Sequence, residues 1–285
     1  MEAFLPRTLD EALELRAAHP KAVPVAGGTD LMVAVNFGRA RPPALLDLSR
    51  VEELRGWRRE DGRVHLGAGT TFARIALELR AFRPLVEAAR SVGSPQIRNR
   101  ATIGGNVCTA SPAGDAIPVL AAYGAEIVLA SSARERRVPW NEFFVGPKRT
   151  TLEPDELVVG LEWREIAGPG SFAKVGTRNA MVIAIAGVCL QLEPESRAVR
   201  LALGSDAPTV VRAPKAEEYA ASAISWDDPE RPLAASDVSE FGRLAAAGAS
   251  PIDDVRGSAA YRRRAVDVLA QRMLQWTLAD RRVAA

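Results

Sequence analysis

Residues 93–115 read GSPQIRNRATIGGNVCTASPAGD, and the interpretation of this stretch decides the fold of the whole chain. Its apolar residues follow neither helical nor strand periodicity, so we expect a long irregular loop. The adjacent Gly104 and Gly105 can take backbone angles closed to other residues, which lets a ligand approach the main chain closely. Short hydrogen-bonding side chains surround the pair: Thr102, Asn106, Thr109 and Ser111. Converging N–H groups with Arg98 and Arg100 nearby suit a phosphate or pyrophosphate, although composition alone equally allows a polar surface loop.

The length and composition are typical of a globular protein of two or three domains. The chain has 285 residues, of which 47% are apolar and 25% are charged. A net charge of +2 gives no argument for binding nucleic acid or a membrane surface. No apolar run approaches the roughly 20 residues needed to span a bilayer, and the N-terminus shows no signal-peptide core. We therefore expect a cytoplasmic protein without a membrane span.

Few side chains in the sequence are suited to carry chemistry of their own. Cys108 and Cys189 are too few and too far apart for a disulfide framework or an iron–sulfur cluster, and Cys108 is expected to be a small buried thiol. His19 should end a helix and His65 should pack within a strand, since neither belongs to a nucleophile motif. No metal-ligand spacing exists either. We predict no catalytic and no metal-binding residues, and a large phosphate-bearing cofactor that carries the chemistry.

The first segment, residues 1–54, contains a second glycine turn. A short strand at residues 22–26 runs into Gly27-Gly28-Thr29-Asp30 and then into the apolar run LMVAVNF. This order predicts a strand, a tight turn and a helix that Thr29 or Asp30 caps. The free N–H groups at the start of such a helix make a second potential anion site. A further strand at residues 45–48 is expected to pair in parallel.

The middle segment, residues 55–176, is predicted to be mainly antiparallel sheet, because its strands are joined by short polar turns. The strands are expected at residues 64–66, 125–130, 155–163 and 171–175. The sequence GAGTTF at residues 67–72 begins like a dinucleotide-binding fingerprint, but Phe72 replaces the third glycine and no βαβ unit follows. We therefore predict a strand-to-helix turn there rather than a Rossmann site.

The third segment, residues 177–285, combines a hairpin with helices. The hairpin is expected at residues 181–192 and 198–204, and the closing helices at residues 237–247 and 258–279. Spacings of three and four in the last helix predict one buried stripe, formed by Tyr261, Ala265, Leu269, Met273 and Trp276. The cluster Arg262-Arg263-Arg264 lies opposite this stripe and is predicted to face solvent or a partner.

Five motifs, in this order along the chain, resemble one protein family. They are AGGTDL at residues 26–31, QIRNRATIGGNVCTASPAGD at 96–115, TLEPDELV at 151–158, FAKVGTRNAMVIA at 172–184 and ASPIDDVRGSAAYRRR at 249–264. Together they cover nearly the whole chain and are highly specific, although a single glycine pair would not be. They make the sequence similar to the FAD-binding medium subunit of the molybdenum hydroxylases, the group that includes carbon monoxide dehydrogenase and xanthine dehydrogenase.

The resemblance implies which residues bind FAD. Both glycine turns match turns that hold the FAD pyrophosphate, Thr109 and Asp115 match further cofactor-contacting positions, and Val158 and Lys174 match positions near the flavin ring. The implied cofactor-binding residues are Ala26, Gly27, Gly28, Thr29, Asp30, Leu31, Thr102, Ile103, Gly104, Gly105, Asn106, Thr109, Asp115, Val158 and Lys174. A cation such as Lys174 near the ring would favour the anionic reduced flavin by Coulomb attraction. Without the motif, Lys174 would be interpreted as a surface lysine on a strand.

The resemblance also implies an architecture. The fold is α+β, of the FAD-binding PCMH type, and FAD would lie between its first two lobes. Residues 1–54 would form a small N-terminal FAD-binding lobe, and residues 55–176 a larger antiparallel middle FAD-binding lobe. Residues 177–285 would form a C-terminal flavoprotein domain with a three-stranded sheet and helices.

In such a complex the chain would be the FAD subunit of an oxidoreductase, within a dimer of heterotrimers. Electrons from the molybdenum cofactor of a large subunit would reach FAD through the [2Fe-2S] clusters of a small subunit, and leave to an external acceptor. Val182 replaces an acidic residue of the xanthine dehydrogenase version, so reactivity toward NAD is expected to differ. The alternative is a self-contained FAD oxidoreductase of related fold, which should need an acid or base beside the flavin. A structural subunit that has lost its flavin is disfavoured by the two intact glycine pairs.

Overall fold

The computed structural model describes residues 2–284, and their side chains as far as residue 283. The chain divides into two units, and each is built from three separate segments. Unit 1 comprises Met1–Ile75, Ser94–Ala110 and Gly124–Glu165. Unit 2 comprises Ala76–Gly93, Ser111–Tyr123 and Ile166–Ala285. The chain therefore leaves unit 1 and returns to it twice before it completes unit 2.

The described residues contain both helices and strands, which confirms the predicted α+β class. The strands are β1 (Glu2–Phe4), β2 (Ala22–Val25), β3 (Ala44–Asp47), β4 (Trp57–Glu60), β5 (Arg63–Gly67), β6 (Glu126–Ala130), β7 (Glu135–Pro139), β8 (Phe144–Gly146), β9 (Arg149–Thr150), β10 (Leu157–Arg164), β11 (Gly170–Val175), β12 (Ala186–Glu193), β13 (Ala198–Gly204) and β14 (Val211–Arg212). The α-helices are α1 (Leu9–Ala18), α2 (Leu31–Asn36), α3 (Phe72–Glu78), α4 (Arg83–Ser91), α5 (Pro95–Arg100), α6 (Ile103–Thr109), α7 (Ala116–Tyr123), α8 (Trp140–Phe143), α9 (Pro214–Ala223), α10 (Ala235–Ala247) and α11 (Ala259–Ala284). None of the described helices is long and apolar enough to cross a membrane.

Unit 1 contains a small parallel sheet with the strand order β1-β3-β2. The parallel pairing predicted for the first segment is therefore correct. Ala12 and Leu13 of α1 pack with Leu46 of β3 in one buried cluster, which also includes Val51 and Leu54. The His19 prediction is correct as well, since this residue is the C-cap of α1.

The larger sheet of unit 1 is antiparallel, as predicted, with the order β4-β5-β10-β6-β7. Alternate side chains of its strands are buried on one face: Val64, Leu66, Ile127, Leu161 and Trp163. Its other face carries polar pairs, such as His65 Nδ1 with Glu162 Oε1 at 2.9 Å. His65 thus packs within strand β5, as we predicted from the sequence.

Residues 93–115 are not the long irregular loop that their composition predicts. They contain the short helices α5 and α6, each with a hydroxyl residue at its N-cap. Ser94 accepts a hydrogen bond from Ile97 N at 3.4 Å, and Thr102 accepts one from Gly105 N at 3.1 Å. Polar residues that disfavour a helix interior therefore start these two helices instead.

Unit 2 contains a sheet with the order β11-β12-β13-β14, and the predicted hairpin forms its centre. This sheet has four strands rather than the expected three, because it includes the two-residue strand β14 and the strand β11 that we assigned to the middle segment. Every residue of β12 is buried, because this strand has neighbours on both sides in the sheet and both α7 and α11 pack against it; α9 packs against β13.

Helix α11 corrects two predictions. Ala265, Leu269 and Met273 of the expected stripe are buried, but Tyr261 and Trp276 are each 49% exposed. Arg262 was predicted to face solvent or a partner, yet it is only 3% exposed. A buried guanidinium needs acceptors for its N–H donors: here Nη1 donates to the carbonyls of Ile185 and Ser205 and Nη2 to Asp254 Oδ1, while Nε has no partner among the described residues.

Candidate functional site

The first glycine turn joins β2 to α2 and offers free backbone donors. The N–H groups of Gly28, Thr29, Asp30 and Leu31 have no hydrogen-bond acceptor among the described residues. Gly28 has φ +73°, a left-handed conformation that glycine adopts without strain. Asp30 is the N-cap residue of α2, as one of the two predicted alternatives, but its side chain makes no capping bond. Four neighbouring free donors suit a bound anion.

Gly27 brings this turn against residues just before the second one. A Cβ atom at Gly27 would collide with the carbonyl group of Arg100 and lie 3.0 Å from Ala101 Cα. The glycine is needed here because two backbone segments of the protein cross, not because a ligand approaches. The crossing places the first turn beside the start of α6, so the structure brings the two predicted glycine turns together.

The second glycine turn differs from our expectation, because its first N–H groups are already used inside the protein. Ile103 and Gly104 donate to carbonyl oxygens of Thr70 and Ala68, at 3.0 and 2.8 Å. Gly105 donates to Thr102 Oγ1 at 3.1 Å. The prediction of convergent free N–H groups is therefore wrong for this turn, and only the first turn supplies them.

The two glycines of this pair also have different surroundings. A Cβ atom at Gly104 would lie 2.6 Å from Ala68 Cβ, so the position is closed by the protein. A Cβ atom at the exposed Gly105 would meet only Thr102 Oγ1, at 3.1 Å, and otherwise points into open space. Only Gly105 therefore leaves room for a ligand to approach the main chain.

Lys174 and Asp115, both in unit 2, form a largely buried ion pair. Lys174 Nζ lies 2.6 Å from Asp115 Oδ2 and also donates to the carbonyl oxygens of Ser91, at 2.9 Å, and Val182, at 3.0 Å. Burial raises the pKa of the Asp115 carboxyl, and the Lys174 ammonium partly offsets this effect. The lysine is thus not the surface residue that its strand position alone predicts. Ser91 and Val182 act through backbone carbonyls, which no side-chain motif reveals.

Two buried side-chain oxygens at predicted cofactor positions lack partners. Asn106 Oδ1 in unit 1 and Asp115 Oδ1 in unit 2 make no hydrogen bond to any described residue. Buried polar atoms are normally satisfied, so each marks a place for a group that the protein alone does not supply. In unit 1, the free donors of the first turn, the open side of Gly105 and Asn106 Oδ1 fit a polar cofactor with phosphates and N–H groups, as FAD has. In unit 2, Asp115 Oδ1 is a separate free acceptor.

The remaining predicted residues have less distinctive surroundings. Val158 is buried in β10, beside Val159, whose carbonyl accepts a hydrogen bond from Ala68 N at 3.1 Å. Thr109 ends α6 and is followed by Ala110 with a left-handed φ of 45°. Cys108 is exposed as a residue, whereas burial of its thiol raises the thiol pKa to about 12. Within the described residues, no three His, Cys, Asp or Glu side chains are grouped as metal ligands.

Comparison with known proteins identifies the family of the chain. The sequence profile of the FAD binding domain in molybdopterin dehydrogenase matches residues 1–162, and that of the CO dehydrogenase flavoprotein C-terminal domain matches residues 171–277. The xanthine dehydrogenase FAD-binding subunit of Escherichia coli O157:H7 is 34% identical over 227 residues, which cover 76% of this chain and 77% of that protein. The glyceraldehyde dehydrogenase medium chain of Sulfolobus acidocaldarius is 31% identical over 271 residues, which cover 93% and 94%.

A solved structure extends the likeness to the whole fold. A carbon monoxide dehydrogenase chain from Hydrogenophaga pseudoflava superimposes with a TM-score of 0.86, at 30% identity, covering 98% of this chain and 97% of that one. Several relatives are named as subunits or chains of larger enzymes. Both halves of the sequence and the fold thus agree, and the chain belongs to the FAD-binding medium subunits of the molybdenum hydroxylases, the electron-transfer flavoprotein subunits of these oxidoreductases.

Proposed function

We propose that both glycine turns together hold the FAD pyrophosphate. The observation that carries this proposal is the close crossing at Gly27, which sets the four free N–H groups of residues 28–31 beside the start of α6. The N–H groups of the first turn would donate hydrogen bonds to the negatively charged pyrophosphate. The open space beside Gly105 would let the pyrophosphate approach the main chain. Asn106 Oδ1 would accept a hydrogen bond from the cofactor, since it has no other partner among the described residues.

Lys174 and Asp115 would meet the flavin ring in this proposal. When bound, FAD supplies one- and two-electron transfer, which lets it join one-electron iron–sulfur carriers to a two-electron acceptor. Asp115 Oδ1 remains available to accept a hydrogen bond from a ring N–H, because Oδ2 is used by Lys174. The Lys174 ammonium would favour negative charge on the nearby ring by Coulomb attraction. Val158 would contribute apolar surface that excludes water.

The wider assembly is also part of the proposal. A small subunit with [2Fe-2S] clusters would deliver electrons, a large subunit with the molybdenum cofactor would be their source, and the complex would be a dimer of heterotrimers in the cytoplasm. The three lobes at residues 1–54, 55–176 and 177–285 stay a prediction, with FAD between the first two. The relatives support the subunit role, since they are named as FAD-binding subunits or medium chains.

A matched pair of glycine variants tests the cofactor site. Gly28 and Gly62 have φ values of +73° and +70°, and neither would meet an atom closer than 3.4 Å through a Cβ. Alanine should therefore cost similar strain at both positions, about 1 kcal/mol. Only Gly28→Ala moves the free N–H groups, so we expect it to weaken FAD binding about tenfold or more while Gly62→Ala leaves the Kd unchanged. Equal Kd values for the two variants would refute the assignment of this turn.

The subunit role is tested by comparing the isolated chain with the complete complex. The purified chain should show FAD absorbance, and acid precipitation should release all the flavin to the supernatant because binding is non-covalent. Hydroxylation of aldehydes, purines or carbon monoxide should require the iron–sulfur and molybdenum subunits. Full hydroxylation by the lone chain would instead support the self-contained oxidoreductase. A colourless chain that takes up no added FAD would identify a subunit without flavin.

A further inference from the structure

The segment of residues 176–185 links β11 to β12 without regular secondary structure, yet it reaches Lys174. Its Val182 carbonyl accepts one of the three N–H bonds of the Lys174 ammonium, at 3.0 Å. A lysine ammonium has three donors, and here all three have acceptors: Asp115, Ser91 and Val182. The direction of the ammonium therefore depends on where this segment holds its carbonyl.

The C-terminal end of the segment is held by contacts to other parts of unit 2. Ile185 N donates to Val175 O at 2.8 Å, which closes the segment against β11. Ser205 Oγ donates to Ala184 O at 3.2 Å. Arg262 of α11 donates through Nη1 to Ile185 O at 2.5 Å. The carbonyl oxygens of Ala184 and Ile185 thus both accept hydrogen bonds, and these residues lie only two and three positions after Val182.

Arg262 is itself held rigidly. Its Nη1 also donates to Ser205 O at 3.0 Å, and its Nη2 donates to Asp254 Oδ1 at 2.7 Å. The guanidinium is planar and its donors have fixed directions, so these bonds define where the Ile185 carbonyl can lie. A second buried acid, Asp206, lies close enough for Arg262 to stabilise its charged form. Arg262 therefore joins the 176–185 segment to Ser205, which follows β13, and to the loop before α11.

The segment also packs tightly on its own start. A Cβ atom at Gly176 would collide with the side chain of Val182, and Val182 is β-branched and cannot easily turn away. Residue 182 is therefore close to the end of β11 as well as to Lys174. Any side chain at position 176 should push residue 182, with its carbonyl, away from the ammonium.

We propose that Arg262 is a positioning residue for the cofactor site: by holding the Ile185 carbonyl it keeps the Val182 carbonyl on Lys174 and so fixes the Lys174–Asp115 pair for FAD. Arg262 touches neither residue of that pair and acts through residues 182–185. The inference rests on the proposed function, in which Lys174 and Asp115 meet the flavin ring.

The first test measures FAD affinity by fluorescence titration. Arg262→Gln should weaken FAD binding about tenfold, whereas Arg263→Gln, at the exposed neighbouring position, should leave the Kd unchanged. In a Lys174→Met background, Arg262→Gln should cause little further loss, because its effect passes through the ammonium. A merely structural arginine would weaken binding equally in both backgrounds, and that result would overturn the proposal. An unchanged Kd in Arg262→Gln would overturn it too.

A second pair of variants leaves Arg262 in place. Gly176→Ala should displace Val182 and weaken FAD binding by a similar factor, and Gly176→Ala with Val182→Ala should restore the affinity by removing the collision. This pair decides the question if Arg262→Gln fails to fold. Wild-type affinity in Gly176→Ala would then overturn the proposal, since moving residue 182 would have had no consequence for the cofactor.

Hydrogen exchange on the cofactor-free chain separates this inference from the proposed function. If Arg262 holds the segment, the amide of Ile185, which donates to Val175 O at 2.8 Å, should exchange at least about tenfold faster in Arg262→Gln than in Arg263→Gln. Unchanged exchange would overturn the positioning role, whatever FAD does. A wild-type chain that binds no FAD would refute the proposed function and leave faster exchange as evidence for the contact alone.

Discussion

Replacing Gly104 with alanine tests whether the protein itself, rather than a ligand, requires this glycine. The position lies in the first turn of α6, where its N–H donates to Ala68 O at 2.8 Å. The added Cβ would lie 2.6 Å from Ala68 Cβ and 2.8 Å from Ala68 O. The 67–71 turn and the start of α6 would therefore have to separate.

The expected cost follows from three contributions. Non-bonded carbon atoms pack at about 3.5–4.0 Å, so the two segments must move apart by about 1 Å. Overpacking of this kind costs about 1–3 kcal/mol, and the weakened hydrogen bond to Ala68 costs about 1 kcal/mol more. Alanine regains about 1 kcal/mol over glycine in a helix. The net loss of unfolding free energy should be about 2 kcal/mol, since the collision outweighs the gain in helix propensity.

Thermal and urea denaturation of the cofactor-free protein measure this loss. A loss of about 2 kcal/mol lowers Tm by about 4–8 °C in a domain of 150–250 residues. Gly105→Ala is the control: it has the same gain in helix propensity, opposed only by the 3.1 Å approach of its Cβ to Thr102 Oγ1, so it should be no less stable than wild type. The reasoning is refuted if Gly104→Ala is as stable as Gly105→Ala without FAD, and a difference that appears only with FAD would show that the ligand closes the site.

Three other perturbations have defined outcomes. Burial raises the pKa of Asp206 to about 8, so the folded chain keeps a proton that the unfolded chain loses near pH 4. The unfolding free energy should therefore fall as the pH rises from about 4 to about 8. Urea denaturation of Asp206→Asn over this pH range should not show that fall. Lys174→Met leaves Asp115 buried without its cation, so the unfolding free energy should drop by about 3–5 kcal/mol, and adding Asp115→Asn should recover much of it. Thr102→Val removes the N-cap of α6 and should cost about 1 kcal/mol by thermal denaturation, whereas no loss would mean that the capping bond to Gly105 is dispensable.

Local patterns predicted the parts of the fold that depend on local physics. The alternation of β5 and β10, the apolar run of β12 and the turn that follows β2 each indicated the right element, because periodicity reports which side chains are buried. The motif order also indicated FAD and the family. Periodicity and motifs can be identified within short segments, so these predictions do not depend on which segments contact one another in the fold.

Two of the misinterpreted positions, Gly104 and Arg262, have partners that lie far along the chain. Gly104 and Gly105 are the same residue type, yet Ala68 leaves no room for a side chain at Gly104, whereas Gly105 faces open space. Only the tertiary contact between the 67–71 turn and α6 distinguishes the two positions. Arg262 sits in a run of three arginines, and its burial depends on carbonyls of residues 185 and 205. Ser94 and Thr102 are polar residues, so they made a helix in residues 93–115 look unfavourable. In the structure they are the N-caps of α5 and α6.

The alternation of the chain between the two units has a consequence for biosynthesis. Helices α4 and α7 are made early, within the span of the first family profile, but they pack against β11, β12 and β13, which are made later. All eight residues of α7 are buried in the finished protein. A nascent chain that ends near residue 165 therefore carries these apolar helices without the sheet that covers them, so translation should leave them exposed to chaperones until the last third of the chain emerges. A fragment of residues 1–162, which covers only the first family profile, should aggregate when expressed alone, because α4 and α7 would lack the sheet that covers them.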